Sequence, residues 1–396
     1  MGQYPKIGVY SDSYPDKRLI LDKVPQCEYI QVDNKQELLA RVFRFAGRKW
    51  KDFTQTDTYA QKVHFTLDAD AYPNVDLIHT FNRVCLRDNN KWVSTFERTL
   101  PEYFSEERAV NLETMRRQLP LLLSEKCLAL LPISKWAYEY EMAFLAQFAS
   151  QNDLQNIRNK MAVLYPPQDV LATREEVVEK YENLSTIRFF FVGGQLKRKG
   201  GFEVLKVFQK LRKEYDNFSV TMVGDPNNNY KNFYLSEGEK RELSQLLSSS
   251  DWLDFHTKLP NEEVLKHIKK AHVGLLPSMG DTFGFSVLEM QAGGCPVITT
   301  DREALPEIND LGCGWLLDTS TVKQTHGDDF AYYTKQEVDN LSEIIQEKMI
   351  ITIRTILDNP SVMEKKALNS LRRIKEAHKP GQYAAKLLDI YRSANI

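Results

Sequence analysis

The stretch "FFFVGGQLKRKGGFEVLKVF", Phe189–Phe208, runs from a solid apolar segment through two glycines and a basic loop into a helix-like segment. An apolar run without alternation suits a strand covered on both faces. Gly193 and Gly194 allow a tight turn and a close backbone approach. Arg198 and Lys199 then set two cations just ahead of a helix whose first amides have no intrahelical partner, a suitable seat for a diphosphate. The spacing is neither G-x-G-x-x-G nor G-x-x-x-x-G-K-[ST], which argues against a dinucleotide fold of the usual kind and against a P-loop. The competing reading of this stretch is a solvated turn with surface cations.

Outward from it the same rhythm repeats. "PKIGVYS", "CEYIQV", "VDLIHTF", "KWVSTF", "KCLALLPIS" and "KMAVLYP" read as strands in the first half, and "IRFFFVG", "FSVTMVG", "WLDFH", "AHVGLLP", "CPVITT" and "GWLLD" in the second. Helix-like segments separate them, so the expected class is α/β, with two doubly wound parallel sheets in Rossmann-like domains. The break falls near "YPPQDV", where two prolines stop a strand and the Glu-rich "TREEVVEKYENL" leads on. Expected domains are 1–168, 169–378 and a terminal helix over 379–396 that packs back on the first domain. Ligands of parallel sheets bind beyond the carboxyl ends of the strands, so a cleft faced by both domains is the expected site.

The 396 residues carry a formal net charge of -2, which argues against a nucleic-acid partner. Cys27, Cys85, Cys127, Cys295 and Cys313 are scattered, without metal-ligand spacing, as in a reduced cytoplasmic protein. The opening "MGQYPKIGVYSDSYP" lacks a basic region followed by an apolar core, so no secretory signal is expected, and no apolar run is long enough to span a bilayer. "RVFRFAGRKWKDF", residues 41–53, mixes cations and aromatics. It suits either a peripheral contact with an anionic membrane surface or a helix with its apolar face in the core, and the second reading is preferred. His79, ending "DLIH", is read as a satisfied structural histidine ahead of a residue lining an acceptor pocket.

A second stretch, "DTFGFSVLEMQAGG", sets Asp281 and Glu289 eight positions apart. A helix is expected from about Ser286, and Ser286 with Glu289 also fits a capping box, in which case the acid would only satisfy a backbone amide. The alternative is a ligand site. Backbone amides of Gly284, Phe285 and Ser286 would face an anion from the positive end of the helix. Acids beside that anion would be repelled by it, so Asp281 and Glu289 should accept hydrogen bonds from hydroxyls on either side. A nucleotide-sugar offers that order of groups.

At this point the second half resembles the nucleotide-binding domain of the retaining family-4 glycosyltransferases, which have the GT-B fold. Their acid–seven residues–acid phrase reads here "DTFGFSVLE", and "FVGG…RKGG", "VTMVGD", "KLPNEEVLKHIKKAHVGLLPS" and "EMQAGGCPVITTDREALPEI" stand in the family's order over residues 188–308. The first half is similar more weakly, in "DLIHTFN", "KWVSTFE", "LLPISKWA" and "KMAVLYPP". The resemblance implies that Glu289 binds the donor ribose and Asp281 holds hydroxyls of the transferred sugar. It implies that Arg198 and Lys199 neutralise the diphosphate, and that Gly284, Phe285 and Ser286 offer it amides. Glu97 stands where many members carry a histidine facing the sugar. Departures include Asp281, one methylene shorter than the usual Glu, and Gly194 and Gln195 where an arginine often follows the first glycine.

The implied reaction moves a sugar from a nucleoside diphosphate to an acceptor hydroxyl with retention and no metal or other cofactor. Cations and helix amides would stabilise the leaving diphosphate. Asp281 and Glu97 are the candidate catalytic residues. Expected partners are the nucleotide-sugar donor and a sugar, lipid-linked or glycoprotein acceptor, in bacterial surface glycan or glycoconjugate synthesis. A related chain that binds glycan or a catalytic subunit without transferring sugar is the alternative.

Overall fold

The computed structural model describes residues 4–10, 13–33, 66–67, 72–87, 89–100, 112–182, 184–230, 232–323 and 333–393. The stretch at 41–53 lies outside them. The chain divides into two compact units, Met1–Pro167 with Pro380–Ile396, and Gln168–Lys379.

The first unit holds β1 (Lys6–Val9), β2 (Glu28–Gln31), β4 (Leu77–Phe81), β6 (Trp92–Phe96) and β7 (Cys127–Pro132) in one parallel sheet of order β2-β1-β4-β6-β7. Two-residue strands β3 (Thr66–Leu67) and β5 (Val84–Cys85) pair separately and are too short to show as a sequence pattern. β4 and β6 are buried at every residue, the signature of a sheet covered on both faces.

The expected strand "KMAVLYP" does not form as a strand. Only Met161 bridges to Leu130, although Ala162 N–H donates to Leu130 O and Leu164 N–H to Pro132 O, both at 3.0 Å. A parallel ladder needs donors from both strands, and Pro132 has no N–H to return.

The second unit holds β8 (Ile187–Gln195), β9 (Phe218–Asp225), β10 (Leu253–His256), β11 (Val273–Leu276), β12 (Val297–Thr300) and β13 (Gly314–Leu317). They form one parallel sheet of order β10-β9-β8-β11-β12-β13. The order reverses direction between β8 and β11, and at such a switch point a crevice opens outside the carboxyl ends of the two strands.

The core of this unit is aromatic along β8. Phe189, Phe190 and Phe191 are buried. Phe208, on the helix Gly201–Leu211, meets Phe189 edge-on at 4.8 Å between centroids and Phe218 at 5.1 Å. This contact presses the helix onto the strand that carries the basic loop. Among the described residues, four helices, starting after Ser150 in the first unit and after Thr173, Ser236 and Thr334 in the second, open on capping boxes that satisfy their first amides. Gln168 N–H donates to His378 O at 2.9 Å, so the chain enters and leaves the second unit side by side.

The terminal helix Pro380–Arg392 belongs to the first unit. Tyr383 Oη donates to Leu19 O at 2.7 Å, and Tyr391 Oη meets His79 Nδ1 at 2.7 Å. The other ring nitrogen of His79 meets Thr95 Oγ1 at 2.8 Å. His79 is thus a fully buried, satisfied structural histidine, as expected. Burial pushes its pKa from 6.5 down to about 3.

Phe208→Ala should cost about 3–5 kcal/mol, because the cavity sits in a close-packed aromatic layer, read as a lowered urea midpoint. His79 gives a pH test. Its folded pKa is depressed, so the unfolded chain binds the extra proton between about 3 and 6.5. Its contribution is therefore complete above pH 6.5 and is lost as pH falls, by about 1.4 kcal/mol per pH unit. The stability difference between wild type and His79→Gln, followed by urea unfolding, should shrink with that slope on acidification.

Candidate active site

The basic loop leaves β8 at the switch point. The turn expected at Gly193–Gly194 falls later, because β8 runs on through Gln195 with a register shift after Val192. The two glycines form a bulge in the strand end. A Cβ on Gly193 would stand 2.8 Å from Lys199 Cβ, so the close approach expected there is to the lysine stem. The turn itself is closed by Lys199 N–H to Gln195 O at 2.9 Å and Gly200 N–H to Lys197 O at 3.1 Å. Gly200 has φ of 77°, and a Cβ there would lie 2.2 Å from Pro277 O, just past β11. A side chain is excluded by both conformation and contact.

That contact lays the basic loop along the loop that follows β11. Met279 N–H donates to Arg198 O at 2.9 Å, and Arg198 Nη1 donates to Gly280 O at 2.6 Å. Arg198 Nε donates to Gln195 Oε1, and its guanidinium lies 5.5 Å from the centroid of the Tyr230 ring. Lys199 Nζ is 2.5 Å from Asp281 Oδ2. The structure therefore brings Arg198, Lys199 and Asp281, 82 positions apart in chain for the lysine and the acid, into one cluster.

Asp281 is 6% exposed. Burial opposes its ionised form, but Lys199 and Arg198 outweigh this and hold its carboxyl below the ordinary range. Burial and Arg198 lower the pKa of Lys199, against the pull of Asp281 and Glu303. The pair is a close ion pair with a cationic neighbour, not two exposed charges.

Lys197, the remaining cation of the loop, turns the other way. Its ammonium is buried between Glu203 Oε1 at 2.7 Å and Glu239 Oε1 at 2.9 Å, and Ser342 Oγ donates to the same Glu203 oxygen at 2.6 Å. Lys197 ties the loop to three helices, Gly201–Leu211, Glu237–Ser249 and Lys335–Asp358. "LKRKGG" does not reveal which of its three cations is internal, since burial here depends on acids far along the chain.

The helix expected from Ser286 runs Phe285–Ala292. Its N-cap is Gly284, at φ of 85°, with no side-chain cap. The capping-box reading is therefore corrected: Ser286 lies inside the first turn, and Glu289 is in the second. A Cβ on Gly284 would meet Leu305 at 2.9 Å, so the chain turns left-handed against the loop after β12. Val287 N–H closes on Gly284 O at 2.9 Å. The amides of Gly284, Phe285 and Ser286 precede that bond at the helix start. Glu289 is 9% exposed.

Glu97 belongs to the first unit and follows β6. Its N–H donates to Asn82 Oδ1 at 3.0 Å, and its Oε1 accepts a longer bond, 3.4 Å, from Asn82 Nδ2. Asn82 has φ of 54°, and Arg83 beside it stacks 4.9 Å from the Tyr10 ring centroid. Sequence reasoning missed Asn82, because a left-handed asparagine after a strand has no pattern that marks it. It also missed Tyr230 and Glu303, which come to the basic loop from the segments after β9 and β12.

Residues 173–340, within the second unit, match the family model described as Glycosyl transferases group 1. No curated protein matches the chain. Among solved structures, the chain is similar to sucrose-phosphate synthase from Thermosynechococcus elongatus, with 16% identity and a TM-score of 0.58 over 98% of this chain and 88% of that one. A glycosyltransferase from Rickettsia africae is similar at 13% identity and a TM-score of 0.57, covering 100% and 99% of the two chains. HepE from Anabaena, solved with UDP and glucose, is similar at 13% identity and a TM-score of 0.56, covering 98% and 100%. At these identities the likeness shows the fold: two parallel-sheet α/β domains of the GT-B architecture.

Lys197→Met should be severe although the lysine pairs with Glu203 and Glu239 and not with Asp281. It leaves Glu203 and part of Glu239 buried without a counter-charge, and should cost about 3–5 kcal/mol. The check is a urea or thermal unfolding midpoint against wild type.

Proposed function

We propose that the protein is a glycosyltransferase that moves a sugar from a nucleoside-diphosphate sugar to an acceptor hydroxyl, with retention at the anomeric carbon and without a metal ion. The observation that carries this reading is the meeting of Arg198, Lys199 and Asp281 at the carboxyl ends of β8 and β11. That meeting lies within the segment similar to glycosyl transferases group 1. HepE, of like fold, is solved with UDP-glucose, which supports a donor of that class.

In this reading Arg198 and Lys199 bind the diphosphate, with the amides of Gly284, Phe285 and Ser286 at the helix start. Gly193 lets the Lys199 stem pack against the strand end, and Gly194 leaves the backbone open to the donor. These groups are in place before the charge develops, so they stabilise the leaving diphosphate at little reorganisation cost. Lys199 has three donors and can hold Asp281 while it reaches a phosphate oxygen. Asp281 then accepts from hydroxyls of the transferred sugar, and Glu289 from the ribose. Glu97, oriented by Asn82, is assigned to the sugar or acceptor. The acceptor is a sugar, a lipid-linked glycan or a glycoprotein, in surface glycan or glycoconjugate synthesis.

We also place the protein in the cytoplasm, a reading supported by five cysteines that form no disulfide. Among the described residues no helix is long and apolar enough to cross a membrane.

Glu289→Gln should weaken nucleotide binding by about 1.5–3 kcal/mol, through loss of a charge-assisted bond. Calorimetry with UDP-, GDP- and ADP-glucose reads this directly. Slow hydrolysis of the bound donor without acceptor, followed by NMR, should release the sugar with its anomeric configuration retained. Unchanged affinity in Glu289→Gln and in Lys199→Met would remove the donor-site assignment. Binding without turnover even with acceptor present would favour the non-transferring partner.

A further inference from the structure

The loop after β12 brings a second carboxylate, that of Glu303, to the Lys199–Asp281 pair. Glu303 has φ of 49°, in the left-handed region where a residue with a β-carbon is strained. Residues held there cluster at functional sites. The loop is tied to the site by Ala304 N–H, which donates to Asp281 O at 3.3 Å. The Glu303 carboxylate lies over Gly280: a Cβ placed on that glycine would stand 3.4 Å from its Cδ and its Oε1. Gly280 is also the residue whose carbonyl anchors Arg198. Burial and Arg198 work to deprotonate Lys199, and Asp281 and Glu303 work to keep it charged. The lysine thus answers to two carboxylates, one in contact and one alongside.

This arrangement has a consequence for any ligand that takes Lys199. A phosphate oxygen on the ammonium withdraws charge that had been shared with Asp281 and Glu303. The buried Asp281 carboxylate and the partly buried Glu303 carboxylate are then left with less compensation, and like charges sharing a low-dielectric site repel. A sugar attached to the diphosphate brings O–H donors to that place. A bare nucleoside diphosphate brings a further negative oxygen instead.

We propose that Glu303 is a specificity-determining residue of the donor site, which with Asp281 seats hydroxyls of the transferred sugar and disfavours the bare diphosphate. The inference rests on the donor-site reading above. Its effect is to hold the sugar nucleotide before transfer and to loosen the diphosphate after it.

The test is calorimetry on the full chain with UDP, GDP and ADP, each against its glucose conjugate. The quantity read is the ratio of Kd for the diphosphate to Kd for the conjugate. Glu303→Gln removes the charge and keeps the size. Glu303→Gly removes the carboxylate and adopts φ of 49° without strain, so its Tm should equal or exceed that of wild type. In both variants the ratio should fall about tenfold or more, which is 1.4 kcal/mol. A Glu303 with a merely structural role would move Tm and leave the ratio alone. A ratio within about twofold of wild type in both variants, given a nucleotide that wild type binds, overturns the inference by itself. If wild type binds none of the six compounds, the donor-site reading fails and this inference falls with it.

Discussion

The second unit is organised by one close approach, that of Gly200 to the carbonyl of Pro277. Because no β-carbon stands between them, the loop after β8 lies directly on the loop after β11. The consequences are ordered along the chain. Arg198 reaches Gly280 O, and Lys199 reaches Asp281. Without that approach the cations would project from the end of one strand, and the acid from the end of another. Parallel strands 8 and 11 are neighbours in the sheet, but neighbouring strands alone do not make their loops touch.

The forces that hold this arrangement are of two kinds. The aromatic layer of Phe189, Phe208 and Phe218 sets the helix behind the loop, by burial that is large and without direction. Lys197 sets the loop itself, by a buried ion cluster that is directional. A buried lysine between two acids is weak evidence for stability. Here it also decides which way the loop faces. With Lys197 committed inward, Arg198 and Lys199 are left to Gly280 and Asp281. Three consecutive cations thus divide into one anchor and two that meet the loop after β11.

Charge balance gives the site its chemistry. Arg198 and Lys199 stand against Asp281, with Glu303 near and Glu289 buried in the following helix. In the proposed donor site a diphosphate would share its cations with resident carboxylates. Binding of the phosphates would thereby be moderated, and the hydroxyl-bearing parts of the ligand would gain weight. A transferase gains from that balance, since a site that held its product diphosphate as firmly as its donor would turn over slowly.

Much of this was legible in the residues. Continuous apolar runs separated by helical segments determined two parallel sheets, because only strands covered on both faces tolerate such runs. "DTFGFSVLE" and the basic loop marked where charge would gather, because glycines beside cations and acids serve few purposes in a packed fold. His79 read as structural, and it is. What the residues alone left open was every question that depended on a distant partner. The tertiary structure decided that Lys197 is internal, that Gly284 and not Ser286 caps the helix, that "KMAVLYP" fails as a strand beside Pro132, and that Glu303 reaches the site at all. Local pattern reports which faces must be buried and where the backbone must bend. It carries no record of which charges, a hundred positions apart, will share one low-dielectric space, and there pairing rather than composition sets the energy.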